Sequence, residues 1–135
     1  MNLAVLAAAF ALGSSAFHNG GTIPARYTCT GANISPPLRW TAPPRRTRSF
    51  SIEVVDIDAH GFVHWRARGI SASARSLRAG AHLRIEGANT FGRRGYSGPC
   101  PPPGSGAHRY VFTLSALGTG GRVLARARLL GRFGR

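Results

Sequence analysis

The chain has no lysine and almost no acid. Its 18 basic residues are all arginine, and only Glu53, Asp56, Asp58 and Glu86 oppose them, leaving a net charge of +14. Such a surface attracts anions, and nucleic acid is the first partner to weigh, because neutralising phosphates releases counterions. Apart from Arg45, Arg46 and Arg48 and the tail from Arg122 to Arg135, however, the arginines are scattered along the sequence. No recognition helix, finger or aromatic RNA-binding motif accompanies them, so no dedicated nucleic-acid binding is expected. The total preference for arginine reads as a compositional bias. Cysteine is nearly missing as well: Cys29 and Cys100 are too few for a disulfide scaffold and lack the paired spacing of a zinc site. Two readings stay open for them, one bridge across a long loop or two buried thiols.

Long apolar runs are also lacking. The longest, Leu3 to Leu12, is half of the roughly 20 residues a bilayer-spanning helix needs, so no transmembrane anchor is expected. The run resembles the apolar part of a secretory signal with Ala7-Ala8-Ala9 as a cleavage site, yet no basic residue precedes it. Residues 1–9 are therefore a candidate leader remnant, with a non-native start or a first strand as the alternatives. The compartment stays open between the cytoplasm and a secreted or periplasmic location.

What is present points to strands. With 135 residues and 43% hydrophobic residues, one domain with one core is expected over residues 10–135. The segments 49–56, 62–70, 109–117 and 122–130 alternate in polarity or are rich in β-branched and aromatic residues, with glycine or proline between them. No sustained helical period appears between Phe17 and Arg122, and the last segment fits helix or strand on pattern alone. Turn signals at 19–21, 35–37, 42–44, 91–99 and 118–121 divide the chain as in an all-β sandwich or barrel.

Two segments concentrate polar chemistry. In "DIDAHGFVHW", Asp56 ends one apolar strand and His64 begins the next, so the two can meet at one rim of a sheet. In "GYSGPCPPPGSGAHRY", a loop of glycine, proline and serine delivers His108 and Tyr110 to one face of a strand and Arg109 to the other. Two imidazoles and a phenol donate hydrogen bonds to an oxyanion, and the carboxylate orients and charges the histidines. Asp58 has a turn role available, bonding backbone amides. Metal ligation by Asp56, His60 and His64 is the weaker reading, because no known ligand spacing is present. A nucleophile triad of Cys100 or Ser97 with His108 and Asp56 is disfavoured too: there is no nucleophile elbow, and prolines flank Cys100 on both sides.

Four ordered segments, 17–40, 56–65, 95–117 and 123–135, resemble the bacterial and archaeal Raf-kinase-inhibitor-like branch of the phosphatidylethanolamine-binding protein family. That resemblance implies an antiparallel β-sandwich with little helix and a pocket for phosphate, acetate or phosphoethanolamine-like headgroups. The family motif Asp-Pro-Asp-Ala-Pro is matched by Asp56, Asp58 and Ala59, and Gly-x-His-Arg-Tyr by Gly106, His108, Arg109 and Tyr110. The resemblance also implies a pocket histidine at His64 and a glycine-proline wall at Gly98 and Pro99. Ile57 and His60 stand where the motif has prolines, which brings His60 to the pocket rim as a further candidate. After Leu117 the family carries a loop and a helix, where this chain has only "GTGG". That shortening leaves apolar surface uncovered and makes a homodimer a candidate state. The reading that results is a non-enzymatic module without a cofactor, holding a small anion or phospholipid headgroup through Asp56, His60, His64, Gly98, His108 and Tyr110. The alternative is an inhibitor-like protein acting on a kinase or peptidase through its loops.

Overall fold

A computed structural model describes residues 9–135. The apolar run of residues 1–9, read above as a candidate leader, lies outside the described residues except for Ala9. Four long strands form where polarity alternates: β3 (Ser49–Asp56), β4 (Phe62–Ser71), β7 (His108–Leu117) and β8 (Val123–Phe133). Short strands β1 (Leu12–Gly13), β2 (Leu38–Trp40), β5 (Ser76–Leu77) and β6 (Ile85–Glu86) complete the set, and these were not foreseen from the sequence. Two or three residues are too few to show a period. The terminal segment, ambiguous between helix and strand, is a strand because its alternate residues Ala127, Leu129, Gly131 and Phe133 are buried.

The fold is all-β, with two antiparallel sheets ordered β6-β4-β3-β7-β8 and β1-β2-β5. The only helical pieces among the described residues are single 3-10 turns at Ala25–Tyr27 and Thr119–Gly121. The second of these closes the β7–β8 hairpin directly, with Gly120 and Gly121 at φ 68° and 78°, a conformation that glycine adopts without steric cost.

The core lies between the sheets. Phe50, Ile52 and Val54 of β3, Trp65 of β4, and Phe112 and Leu114 of β7 are all buried, and they meet Leu12, Phe17, Leu38 and Trp40 from the other layer. Trp40 packs edge-on against Phe50 at 5.4 Å, and Phe17 packs against Phe112 at 5.7 Å. Because side chains alternate, the opposite face of the same five strands carries Ser51, Glu53, Thr113, Arg126 and Arg128 outward.

Candidate functional site

Asp56 closes β3 on the inward face and pairs in register with Tyr110, so the end of β3 and the start of β7 form one rim. The Asp56 Oδ1 accepts the Asp58 backbone N–H at 2.8 Å, and its Oδ2 accepts from His108 Nδ1 at 2.7 Å. Asp56 thus ties the turn from within, and Asp58, expected to bond backbone amides, accepts the Arg109 N–H at 2.8 Å. The bond also assigns the His108 tautomer: the Nδ1 proton faces the carboxylate, and Nε2 is left with only Ser105 Oγ at 3.4 Å.

His64 enters the interior by a different device. Val54 pairs with Trp65 but Val55 pairs with Val63, which makes His64 the extra residue of a β-bulge. A regular strand would put His64 and Trp65 on opposite faces; the bulge buries both. The His64 Nδ1–H donates to the Ser97 carbonyl at 2.7 Å, and the Ser97 N–H donates back to the His64 carbonyl at 3.0 Å. Burial pushes the His64 pKa below its usual 6.5, outweighing the opposing influence of the Ser97 hydrogen bond and the Asp56 charge. The ring is therefore neutral at pH 7, with a lone pair on Nε2. Both imidazoles were expected to donate; in the folded protein each already gives its Nδ1–H away, His64 to Ser97 and His108 to Asp56, so either Nε2 donates only after its ring takes up a proton.

Tyr110 is fully buried, and its hydroxyl has no hydrogen-bond partner. Burial first, and then Asp56, through its charge and its closeness to the hydroxyl, raise its pKa and keep the phenol protonated, although the two groups do not reach hydrogen-bond geometry. An unpaired donor at zero exposure is costly, because desolvation is not repaid by a bond.

These side chains surround one cavity of about 180 Å³, lined also by Phe62, Phe91, Cys100, Pro101 and Pro102. Phe62 and Phe91 meet edge-on at 4.7 Å and flank the His64 ring at 5.0 and 5.6 Å. The sequence reading missed both. Phe62 was available from the period of two, since it precedes His64 by two residues. Phe91 had no local signal: Thr90 brings it there, donating its N–H to the Val63 carbonyl at 2.9 Å and accepting the Val63 N–H at 2.8 Å.

Two candidates fall outside the lining. His60 is exposed with φ 54°, a left-handed backbone that proline, fixed near −65°, cannot adopt. The turn therefore follows another path than a Pro-x-x-Pro turn and carries the ring away from the cavity. Gly98 lies behind the wall and donates its N–H to Asn33 Oδ1 at 2.7 Å; a Cβ there would run into the Tyr27 carbonyl. Among the described residues no three His, Cys, Asp or Glu side chains gather as metal ligands.

Cys29 and Cys100 form a disulfide with Cα atoms 5.4 Å apart, which removes the free-thiol reading and leaves Cys100 without a nucleophile. Ser97 Oγ is occupied by Asn89 Nδ2 at 2.9 Å. On the outer side, Arg109 grips Asp58 through its guanidinium at 2.7 and 3.0 Å and its backbone N–H at 2.8 Å. That grip lowers the Asp58 pKa to about 2 and anchors the 57–61 turn to β7. A wider depression, about 530 Å³, opens on the outward face beside Arg66, Arg68 and Glu86, away from this chemistry.

The model of the phosphatidylethanolamine-binding protein family matches residues 13–132. The chain belongs to that family. A UPF0098 protein of Aquifex aeolicus is 36% identical, covering 90% of this chain and 86% of that protein. One of Methanothermobacter thermautotrophicus is 37% identical over 150 aligned positions, covering 92% and 98%. That alignment exceeds the 135 residues of the chain, so the archaeal family member carries residues missing here. A UPF0098 protein of Mycobacterium tuberculosis is 42% identical, and the chain spans about half of it, 51%. Among solved structures, Escherichia coli YbcL, described as a member of the mammalian PEBP family, superposes with a TM-score of 0.87 at 28% identity, covering 95% and 99% of the two chains. The Chlamydia trachomatis PEBP homolog CT736 gives 0.84 at 32%, covering 94% and 98%.

Proposed function

We propose that the protein is a non-enzymatic binding module that holds a small oxyanion, phosphate or a phospho-headgroup, in the Asp56–His64–His108–Tyr110 cavity. The observation that carries this reading is the Tyr110 hydroxyl, a buried donor without a partner beside a cavity whose other polar groups are oriented. Asp56 fixes His108 so that Nε2 is free for the ligand, and the ligand's charge favours proton uptake by His64. Tyr110 donates as it stands, and the Nε2 atoms of His108 and His64 donate once each ring carries a second proton; charge-assisted bonds of this kind contribute about 1.5–3 kcal/mol each. Phe62 and Phe91 cover one side of the His64 ring, which lowers the local dielectric and strengthens its contacts. A bonded Cys100 and an occupied Ser97 leave no activated nucleophile beside His108, which favours binding over hydrolysis.

Calorimetry with inorganic phosphate and with phosphoethanolamine tests this. Wild type should bind at least one of them, and His108→Ala should abolish binding without unfolding the protein. Equal binding by wild type and His108→Ala would overturn the assignment.

A further inference from the structure

Arginines that look scattered in sequence are brought into rows by strand register. On the outward face of the five-stranded sheet, Ser51 and Ser115 lead across to Arg126. The next row runs Arg66, Glu53, Thr113, Arg128, followed by Val63, Val55, Val111, Leu130, and then Arg109 beside Arg132. Arg68 completes the β4 side, next to Ile85 of β6. All six arginines are exposed.

The face carries too little acid to balance them. Glu53 pairs with Arg66 at 2.9 Å and Asp58 pairs with Arg109 at 2.7 Å, and Glu86, beside Arg66 and Arg68 at the edge of the face, forms no ion pair among the described residues. Arg68, Arg126, Arg128 and Arg132 have no carboxylate partner among the described residues, and residues 1–8 contain no acid. Along β8 the three arginines extend over about 20 Å, and three strand spacings, about 14 Å, separate them from β4. Between the basic rows lies a band of half-buried valine and leucine, Val55, Val63, Val111 and Leu130. No aromatic residue belongs to any of these rows.

We propose that this face docks on an anionic lipid bilayer. The charge is complementary to such a surface, and the forked guanidinium matches lipid phosphates in a way that lysine does not. The aliphatic band supplies what a headgroup boundary accepts and a phosphate backbone does not reward. Single-stranded nucleic acid needs aromatic platforms, which the face lacks. A duplex would meet the arginines but gain nothing from the valine–leucine band. None of the six arginines lines the Asp56–His108 cavity, so docking and pocket binding are separable.

The test is sedimentation with vesicles of phosphatidylcholine alone and of phosphatidylcholine with a minority of phosphatidylglycerol, at low and physiological salt. The protein should bind the anionic vesicles, more weakly as salt rises, and leave the neutral ones in solution. Arg126→Ser/Arg128→Ser/Arg132→Ser should weaken binding by roughly a hundredfold, whereas Arg45→Ser/Arg46→Ser/Arg48→Ser removes the same charge from a loop and should change it far less. His108→Ala should leave vesicle binding intact even if phosphate binding is lost. Equal losses in the two triple variants, equal binding to neutral vesicles, or loss in His108→Ala each overturn the proposal. So does tighter binding to a DNA duplex at the same salt with the same arginine dependence. Should the β8 triple variant not fold by circular dichroism, the single variants Arg68→Gln and Arg128→Gln carry the test, each expected to weaken vesicle binding several-fold.

Discussion

The two faces of the five-stranded sheet share one backbone and differ in everything else. Inward, β3 and β7 present Phe50, Ile52, Val54, Phe112 and Leu114, all buried, and place Asp56, His108 and Tyr110 where the strands reach the rim. Outward, the intervening residues Ser51, Glu53, Thr113 and Ser115 are small or polar, and Arg126 and Arg128 alternate with buried Ala127 and Leu129. The inward face depends on shape and on pairing most of its polar groups, with the Tyr110 hydroxyl and the indole N–H of Trp65 and, from the facing layer, of Trp40 left without partners; the outward face is a charged surface whose individual contacts contribute little. Polar groups on the same strands therefore have different consequences according to which side of the pleat they occupy.

The sharpest test of that contrast substitutes neighbours. Phe112→Ala should cost about 3–5 kcal/mol by chemical denaturation, whereas Thr113→Ala, one residue away and facing out, should stay within about 0.5 kcal/mol. Comparable losses at the two positions would break the contrast. Next in size is Cys29→Ser, which releases the cavity wall at Cys100 but touches nothing on the outer face. It should lower stability by about 2–4 kcal/mol, and thiol reduction of the wild type should do the same in a denaturation experiment.

Tyr110→Phe separates binding from folding within the inward face. Losing the hydroxyl should weaken phosphate binding about tenfold or more in calorimetry, yet leave stability unchanged or slightly higher, because a buried donor without a partner is removed. A protein destabilised along with its affinity would mean that the hydroxyl has a structural partner.

The smallest effect is the pH response of His64. Its pKa is lowered in the folded state, so the unfolded chain binds more protons below pH 6.5, and stability should fall as pH drops from that value toward the depressed one. His64→Gln should flatten this slope in thermal melts followed across that range. A bound oxyanion should reverse the trend for affinity, with phosphate held more tightly at pH 6 than at pH 8 in wild type.

Much of this was legible in advance, for physical reasons. Strands 49–56 and 62–71 could be placed to within a residue because one face is buried and the other wet, which imposes the period of two. The shared face of His108 and Tyr110 followed from the same period, whereas their meeting with Asp56 depends on β3 pairing with β7, for which no local signal exists. His60 misled because a titratable ring beside a motif says nothing about the sign of φ. Phe91 stayed hidden because its place depends on Thr90 bonding Val63, a contact across 27 residues.

The sequence by itself determined an all-β chain, three of the four long strands, and the shared face of His108 and Tyr110, since alternation and turn chemistry are local properties. Only the tertiary structure decided the rest. A bulge, invisible in composition, turned His64 inward beside Trp65; a disulfide chose between two open readings of Cys29 and Cys100; and strand register gathered dispersed arginines onto one face. Each of these depends on which residue lies opposite which, and that is fixed by pairing between distant segments.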